Sequence, residues 1–396
     1  MDGNKQLRLY DASGKYIGMS VDEVIANRMN SWQAWRCSAG IRYLYIDYDG
    51  NIFICNTAAA HVIDQFWKDA WDKRVEEIKV SLNRWDLTDE EYRPYEEEWR
   101  VMISKQDFSF SDEYIGKIGG NIKYPYDWTV CPFESCACGA DVIVSKAETY
   151  EASKMLAVTH KGYDGQFDTL DQYAKSIDGC VGVEMDFPIP HQILWDLTRR
   201  CNYNCSYCWP YVHNKSDSFL PFDAIMETCG SLIYKWASNK EIRFNFGGGE
   251  PTLHPRFVDI LKYLKSEKQW ILVTTNASRS PSFWREAVKY INSINMSAHF
   301  EFINKKRFLE NLIVMLDHHD KVAGDHWIEI KLMCPPGKVD EATAFRNEID
   351  SINRLHKPGA NKRMKGVCSL VPIRQLMASG EMNEYSEEEL CQLQNQ

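Results

Sequence analysis

Cys201 to Cys208, reading CNYNCSYC, place three thiols on one short segment with three and then two residues between them. Three soft donors so close together can hold three irons of a cubic four-iron four-sulfur cluster and leave the fourth iron without a protein ligand. That open iron is a place for chemistry. A structural zinc site wants four closed ligands, usually as two separated pairs, and no pair with x2 spacing lies close downstream of Cys208.

A second motif follows. The apolar stretch 242–246 runs into Gly247, Gly248, Gly249, Glu250 and Pro251. Glycines at a strand's carboxyl end let a ligand approach the backbone, so carbonyls there and the Glu250 carboxylate can hold a ligand's ammonium group.

Together these segments resemble the radical S-adenosylmethionine (radical SAM) superfamily, whose signature is CxxxCxΦC with an aromatic before the last cysteine, here Tyr207, followed by a GGEP motif. The resemblance implies a four-iron four-sulfur cluster on Cys201, Cys205 and Cys208, with the SAM amino and carboxylate groups chelating the fourth iron. It implies reductive cleavage of SAM to methionine and a 5′-deoxyadenosyl radical, which abstracts hydrogen from an unactivated substrate carbon. Tyr207, Gly248, Gly249, Glu250, Asn276 and Ser297 are its cofactor-binding candidates. An electron donor such as flavodoxin or ferredoxin is its expected partner.

From 190 onward strand and helix patterns alternate. Strands are expected at 193–197, 242–246, 270–274, 294–298, 327–332 and 366–371, with helices at 222–238, 256–266, 282–290, 305–318 and 341–355. Such alternation implies parallel strands with right-handed crossovers. The superfamily resemblance turns this α/β pattern into a partial (β/α)6 barrel with ligands at the strands' carboxyl ends.

Residues 1–189 read as a separate α+β domain, with the barrel at 190–396. A small hairpin is expected over 7–18, with Ser20 capping a helix, and a second hairpin turns at Asp49–Gly50 between Cys37 and Cys55. Helices are expected over 62–105, with Trp67 and Trp71 on one face, and further helices between 147 and 189. Cys131, Cys136 and Cys138 complete a set of five candidate ligands. The CxxG-like start, the DG turn and the following cysteine resemble the SPASM or twitch module, an auxiliary-cluster domain that in its family normally follows the barrel. One auxiliary four-iron four-sulfur cluster needs four cysteines and would leave one thiol spare. Zinc on four of the same thiols is the alternative, and burial as inert apolar side chains a third.

A formal charge of −10 argues against a broad nucleic-acid or anionic-membrane footprint. No run of eighteen apolar residues occurs and the amino terminus lacks a secretion-signal pattern, so a cytoplasmic location is expected, and clustered cysteines suit a reducing compartment. His299 is a candidate proton donor or acceptor at the substrate, and Cys368 a candidate hydrogen-atom donor or ligand. The expected function is modification of a peptide, amino acid or small metabolite by a radical SAM enzyme, an oxidoreductase by class. A nucleoside or nucleic-acid substrate, or a non-catalytic iron-sulfur or zinc protein, are the alternatives.

Overall fold

A computed structural model of the chain describes residues 6–13, 15, 19–20, 35–39, 43–56, 59, 74–82, 84, 88, 91, 95, 114–123, 129–131, 145–148, 191–208, 219–236, 242–319, 327–356, 367–373 and 384–394. The chain divides into two compact units, Met1–Gln192 and Ile193–Gln396.

In the first unit β1 (Gln6–Tyr10), β2 (Met19–Ser20), β3 (Arg36–Cys37), β7 (Thr129–Val130) and β8 (Ser145–Ala147) form a sheet in the order β2-β1-β8-β3-β7. The expected hairpin over 7–18 pairs slightly wider, with Gln6 opposite Ser20 and Leu7 opposite Met19. β4 (Tyr43–Ile46), β5 (Asn51–Phe53) and β6 (Tyr114–Lys117) lie side by side in that order.

The β4–β5 turn is longer than the two residues its Asp49–Gly50 pair suggests. Ile46 faces Ile52, and the Asp47 N–H donates to the Asn51 carbonyl while the Gly50 N–H donates to that of Asp47. Gly50 takes φ +82°, the left-handed position that closes a three-residue loop with a bulge. The buried Asp47 carboxylate fixes this turn, accepting from Asp49 N, Asn51 N and Asn51 Nδ2 at 2.9, 2.8 and 2.9 Å. Residues 74–82 are helical. The helix expected after Ser20, those expected between 147 and 189, Trp67, Trp71, Cys136 and Cys138 lie outside the described residues.

In the second unit β9 (His191–Thr198), β10 (Ile242–Gly248), β11 (Trp270–Thr275), β12 (Ser293–His299), β13 (Trp327–Cys334) and β14 (Val367–Pro372) follow one another across the sheet in chain order. The pairs from β10 to β14 are all parallel. α1 (Phe222–Trp236), α2 (Phe257–Ser266), α3 (Pro281–Ala287), α4 (Lys305–His319) and α5 (Val339–Leu355) fill the crossovers, and α6 (Glu387–Gln394) closes the chain.

Strand alternation makes this layer. Phe244, Phe246, Ile271, Val273, Ile294, Met296, Ile328, Ile330 and Leu332 are buried on one face, and each such side chain contributes about 1.5–3 kcal/mol. The helices supply the matching stripe: Ile225, Cys229 and Leu232 on α1, Ile260, Leu261 and Leu264 on α2, Ala342, Phe345 and Ile349 on α5. Ser280 caps α3 by accepting from Phe283 N, with Pro281 at the first helical position. The opposite face of the strands is half-buried and largely polar, carrying Asn245, Asn295, Ser297, His299, Glu329 and Lys331. This mixed α/β fold with its parallel sheet is consistent with the partial (β/α)6 barrel expected from the sequence.

Candidate active site

The loop after β9 carries the three cysteines, and the carboxyl ends of β10, β11 and β12 all hold it. Where β10 ends, Gly249 N–H donates to the Thr198 carbonyl at 2.7 Å and Glu250 N–H to that of Arg200 at 2.8 Å. Gly248 takes φ +104°, and a Cβ there would stand 2.7 Å from the Thr198 oxygen. A Cβ on Gly249 would meet the Arg200 and Arg199 oxygens at 2.5 and 2.7 Å. The glycines expected to admit a ligand thus admit the chain's own backbone at the root of the cysteine loop.

Glu250 also differs from its expected role. Its carboxylate is fully buried, and four donors of the chain satisfy it: Thr252 N at 3.1 Å, Thr252 Oγ1 at 2.5 Å, Thr275 Oγ1 at 2.8 Å and Asn276 N at 2.7 Å. Burial pushes its pKa up, opposed by these hydrogen bonds, which favour the charged form. Glu250 caps the short 3-10 turn Pro251–Leu253 and ties β10 to β11. It offers no free surface to an ammonium group.

Asn276 passes that tie to the loop. Its Nδ2 donates to Asn202 Oδ1 at 2.9 Å and approaches Cys201 Sγ at 3.8 Å, while Asn202 Nδ2 donates to Ser278 Oγ at 2.9 Å. The Tyr203 N–H also points to Cys201 Sγ, at 3.4 Å. On the far side Glu301, just beyond β12, accepts from Ser206 N at 2.8 Å and Ser206 Oγ at 2.5 Å.

Tyr207 OH and His299 Nδ1 share a hydrogen bond of 2.8 Å, and their rings stack at 5.9 Å. Tyr203 meets His299 edge-on and stacks on Phe302. Cys205 and Tyr207 are buried with Ile373, beside Tyr203, Cys208 and Met333. The His299 nitrogen proposed for proton transfer at a substrate is therefore engaged with the cysteine loop.

Burial pushes Cys201 up to about 11 and Cys205 up to about 12, the latter also through Glu301 and the other two thiols. Burial moves the Tyr207 phenol up as well. Thiols this reluctant to ionise alone become thiolates when a metal supplies positive charge. Among the described residues no three Cys, His, Asp or Glu side chains already converge at ligating distance. The donor set nevertheless fits an iron-sulfur cluster: three soft thiols on one loop, two N–H groups aimed at one sulfur, and strand ends anchoring both flanks.

Ser297 stands opposite Lys331, and His299 opposite Met333, on the polar face. Lys331 Nζ pairs with Glu329 at 3.8 Å. Cys368 stands out of phase with this face. It faces Ile330, which faces Met296, so its register belongs to the buried apolar side. Burial pushes its thiol up to about 12, with Asp350 and Arg346 of α5 acting on it, which puts it under that helix and away from His299. Cys334 shares this phase and is fully buried. The sequence reading missed Asn202, Tyr203, Ser206 and Phe302. Three of them occupy variable positions inside the motif, where only the fold reveals a partner.

In the first unit the buried Lys146 lies near Cys37, Cys131 and Cys55. Cys37 and Lys146 are direct cross-strand partners, and the Lys146 ammonium donates to Cys131 Sγ at 3.5 Å. Burial alone would lower the Lys146 pKa, but the thiols of Cys37, Cys131 and Cys55 outweigh it and hold the pKa above the usual lysine range.

A cysteine loop at the carboxyl end of the first strand of an open parallel α/β sheet defines the class. Residues 195–300 match the model of the Radical SAM superfamily, so this segment is that of a radical SAM enzyme. The superfamily implies a four-iron four-sulfur cluster and SAM.

Among curated proteins the chain is similar to the S-adenosylmethionine-dependent nucleotide dehydratase RSAD2 of Danio rerio, 30% identical over 26% of this chain and 28% of that protein. It is also similar to the antilisterial bacteriocin subtilosin biosynthesis protein AlbA of Bacillus subtilis, 22% identical over 37% of this chain and 33% of that one. The chain thus spans no more than about a third of the length of these relatives. Among solved structures, Streptococcus suis SuiB bound to S-adenosylmethionine aligns with a TM-score of 0.38 and 15% identity over 52% of this chain and 46% of that one. Among the described residues no helix is long and apolar enough to cross a membrane.

Proposed function

We propose that this chain cleaves SAM reductively and uses the radical to modify an unactivated carbon of a peptide, amino acid or small metabolite. One observation carries the reading: the cysteine loop is fastened on both sides by strand ends, through Asn276 and Glu301, at the carboxyl edge of the sheet. When bound, the cluster and SAM supply the 5′-deoxyadenosyl radical. The chain's part is to hold and shield. Cys201, Cys205 and Cys208 ligate the cluster, and Asn276 and Tyr203 N–H stabilise the Cys201 thiolate. Tyr207, fixed by His299, covers one side. Gly248, Gly249 and Glu250 set the position of the loop, and Ser297 stands on the polar face next to it.

Asn245 and Asn295 each bury a side-chain carbonyl with no donor on that half-buried side of the strands, which favours a polar substrate bearing N–H or O–H groups. The similarity to a bacteriocin biosynthesis protein favours a peptide. A nucleotide is the second reading, favoured by the similarity to a nucleotide dehydratase. In the first unit Cys37, Cys55 and Cys131, with Cys136 or Cys138, ligate an auxiliary four-iron four-sulfur cluster of SPASM type. A flavodoxin or ferredoxin supplies electrons, and domains at 1–189 and 190–396 divide the two tasks.

The test is anaerobic iron and sulfide quantitation on reconstituted full-length protein, wild type against a combined Cys201→Ala, Cys205→Ala, Cys208→Ala variant, with a dithionite assay for 5′-deoxyadenosine. About eight irons falling to about four, with SAM cleavage lost, is the expected outcome. Absence of 5′-deoxyadenosine from iron-loaded wild type overturns the reading.

A further inference from the structure

The last rung of the parallel sheet is completed from the far end of the chain. Among the described residues β14 stands at the sheet's edge, and its ladder with β13 ends with Cys334 opposite Pro372. One residue further the Ile373 N–H points to the Cys334 carbonyl at 3.2 Å, at the long end of the hydrogen-bond range. The Tyr385 hydroxyl sits against that bond. It accepts from Ile373 N at 2.7 Å and donates to the Cys334 carbonyl at 2.6 Å, with the Ile373 carbonyl at 3.1 Å. A hydroxyl has one hydrogen to give and two lone pairs to offer, so this one bridges a strand-end donor and a strand-end acceptor at once.

The chain after Tyr385 brings it there. Ser386 and Glu389 form a capping box at the start of α6: Ser386 Oγ accepts from Glu389 N at 3.2 Å, and Glu389 Oε2 accepts from Ser386 N at 3.0 Å. The other Glu389 oxygen accepts from Gly337 N at 2.7 Å, and Gln392 Nε2 donates to Asp340 Oδ1 at 2.9 Å. A helix of eight residues is marginal by itself in water, so these two ties to the connection between β13 and α5 fix where α6 starts.

The consequence lies at the side chain of Ile373. It is buried and packs with Cys205 and Tyr207, beside Tyr203, Cys208 and Met333. Asn276 and Glu301 hold the cysteine loop by hydrogen bonds, whereas Ile373 is the apolar surface on which its middle cysteine rests. We propose that Tyr385 is a positioning residue of the cysteine loop, acting through Ile373 to hold Cys205 and Tyr207 in place. It adds the end of β14 to the two anchors supplied by β11 and β12. The bearing of this on SAM cleavage rests on the function proposed above; the hold on the loop does not.

The measurement is amide hydrogen exchange by mass spectrometry on the full-length protein, following the peptide 201–208 against the α2 peptide 257–266. Tyr385→Phe removes the hydroxyl and keeps the ring. Exchange in 201–208 should quicken at least about fivefold, the ratio that one lost hydrogen bond supports, with 257–266 unchanged. Ile373→Ala should do the same, and the double variant should be no faster than the faster single one, because the two residues act in series. A 201–208 peptide unchanged in Tyr385→Phe overturns the proposal, and so does equal quickening of both peptides, which marks general destabilisation. Additive effects of the two substitutions overturn the route through Ile373. If Tyr385→Phe does not fold, Ile373→Ala decides alone: selective quickening of 201–208 supports the proposal and unchanged exchange overturns it. Formation of 5′-deoxyadenosine by iron-loaded Tyr385→Phe should fall about fivefold, and unchanged formation overturns the bearing on the reaction. Iron-loaded wild type that forms none overturns the proposed function and leaves the exchange result to decide the role of Tyr385.

Discussion

Ser206 and Glu301 lie 95 residues apart in the chain, and the Ser206 N–H and hydroxyl both end on the Glu301 carboxylate. One acidic side chain beyond β12 thereby fixes the middle of the cysteine loop. Glu301 is exposed, so Glu301→Ala should cost about 1 kcal/mol or less in urea unfolding. The loop loses its outer anchor, however, and SAM cleavage should fall at least about tenfold, since misplacing a reacting group by an ångström has such effects. Unaltered cleavage at full iron loading would show that the anchor is dispensable.

Glu250→Gln separates a structural from a ligand-binding role. The amide would turn an N–H₂ group toward a donor now satisfied by a carboxylate, the Asn276 N–H or the Thr275 hydroxyl. A lost charge-assisted bond and a buried unsatisfied donor together cost about 3 kcal/mol. Chemical denaturation of the variant should show this loss with no SAM added. A variant as stable as wild type but weakened in SAM affinity would restore the ammonium-binding role.

Cys368→Ala should leave SAM cleavage within about twofold of wild type and lower stability by about 1 kcal/mol, the effect of a small half-buried side chain beside α5. His299→Ala removes the partner of Tyr207 OH and should impair cleavage instead. Product analysis and thermal unfolding on the pair give both readings, and a large activity loss in Cys368→Ala would contradict the face assigned to it.

Burial, reinforced by Asp49, raises the Asp47 carboxyl to about 7. The folded state therefore binds its proton more tightly than the unfolded state, so the contribution to stability is fully present below about pH 4 and is lost as pH rises toward 7. The full swing is on the order of 4 kcal/mol at 1.36 kcal/mol per pKa unit. Asn51 Oδ1 is buried without a donor, and after an amide flip it can accept from protonated Asp47 or from an Asn at 47. Amide exchange at Asp49 and Asn51 should show protection in this turn falling with pH in wild type and staying flat in Asp47→Asn.

The strands and helices of the second unit are legible in the sequence because apolar positions alternate along each strand and recur at helical spacing between them. The faces were harder. Cys368 and Cys334 sit in strands like those that carry His299, and only the register shows them to be out of phase with it. Glu250 reads as a ligand-facing carboxylate in a glycine motif, yet Thr252, Thr275 and Asn276 consume it. The partners of Asn202 and Ser206 lie about 75 to 95 residues away, a separation that no local pattern encodes.

The sequence by itself determined the chemistry on offer: three thiols at fixed spacing, a glycine turn and an alternating α/β frame, all set by local spacing and side-chain type. Only the tertiary structure decided which backbone the glycines admit, which carboxylate holds the loop and which lysine is buried near cysteines. Those outcomes depend on strand register and long-range approach, where a shift of one residue moves a side chain from one face of the sheet to the other.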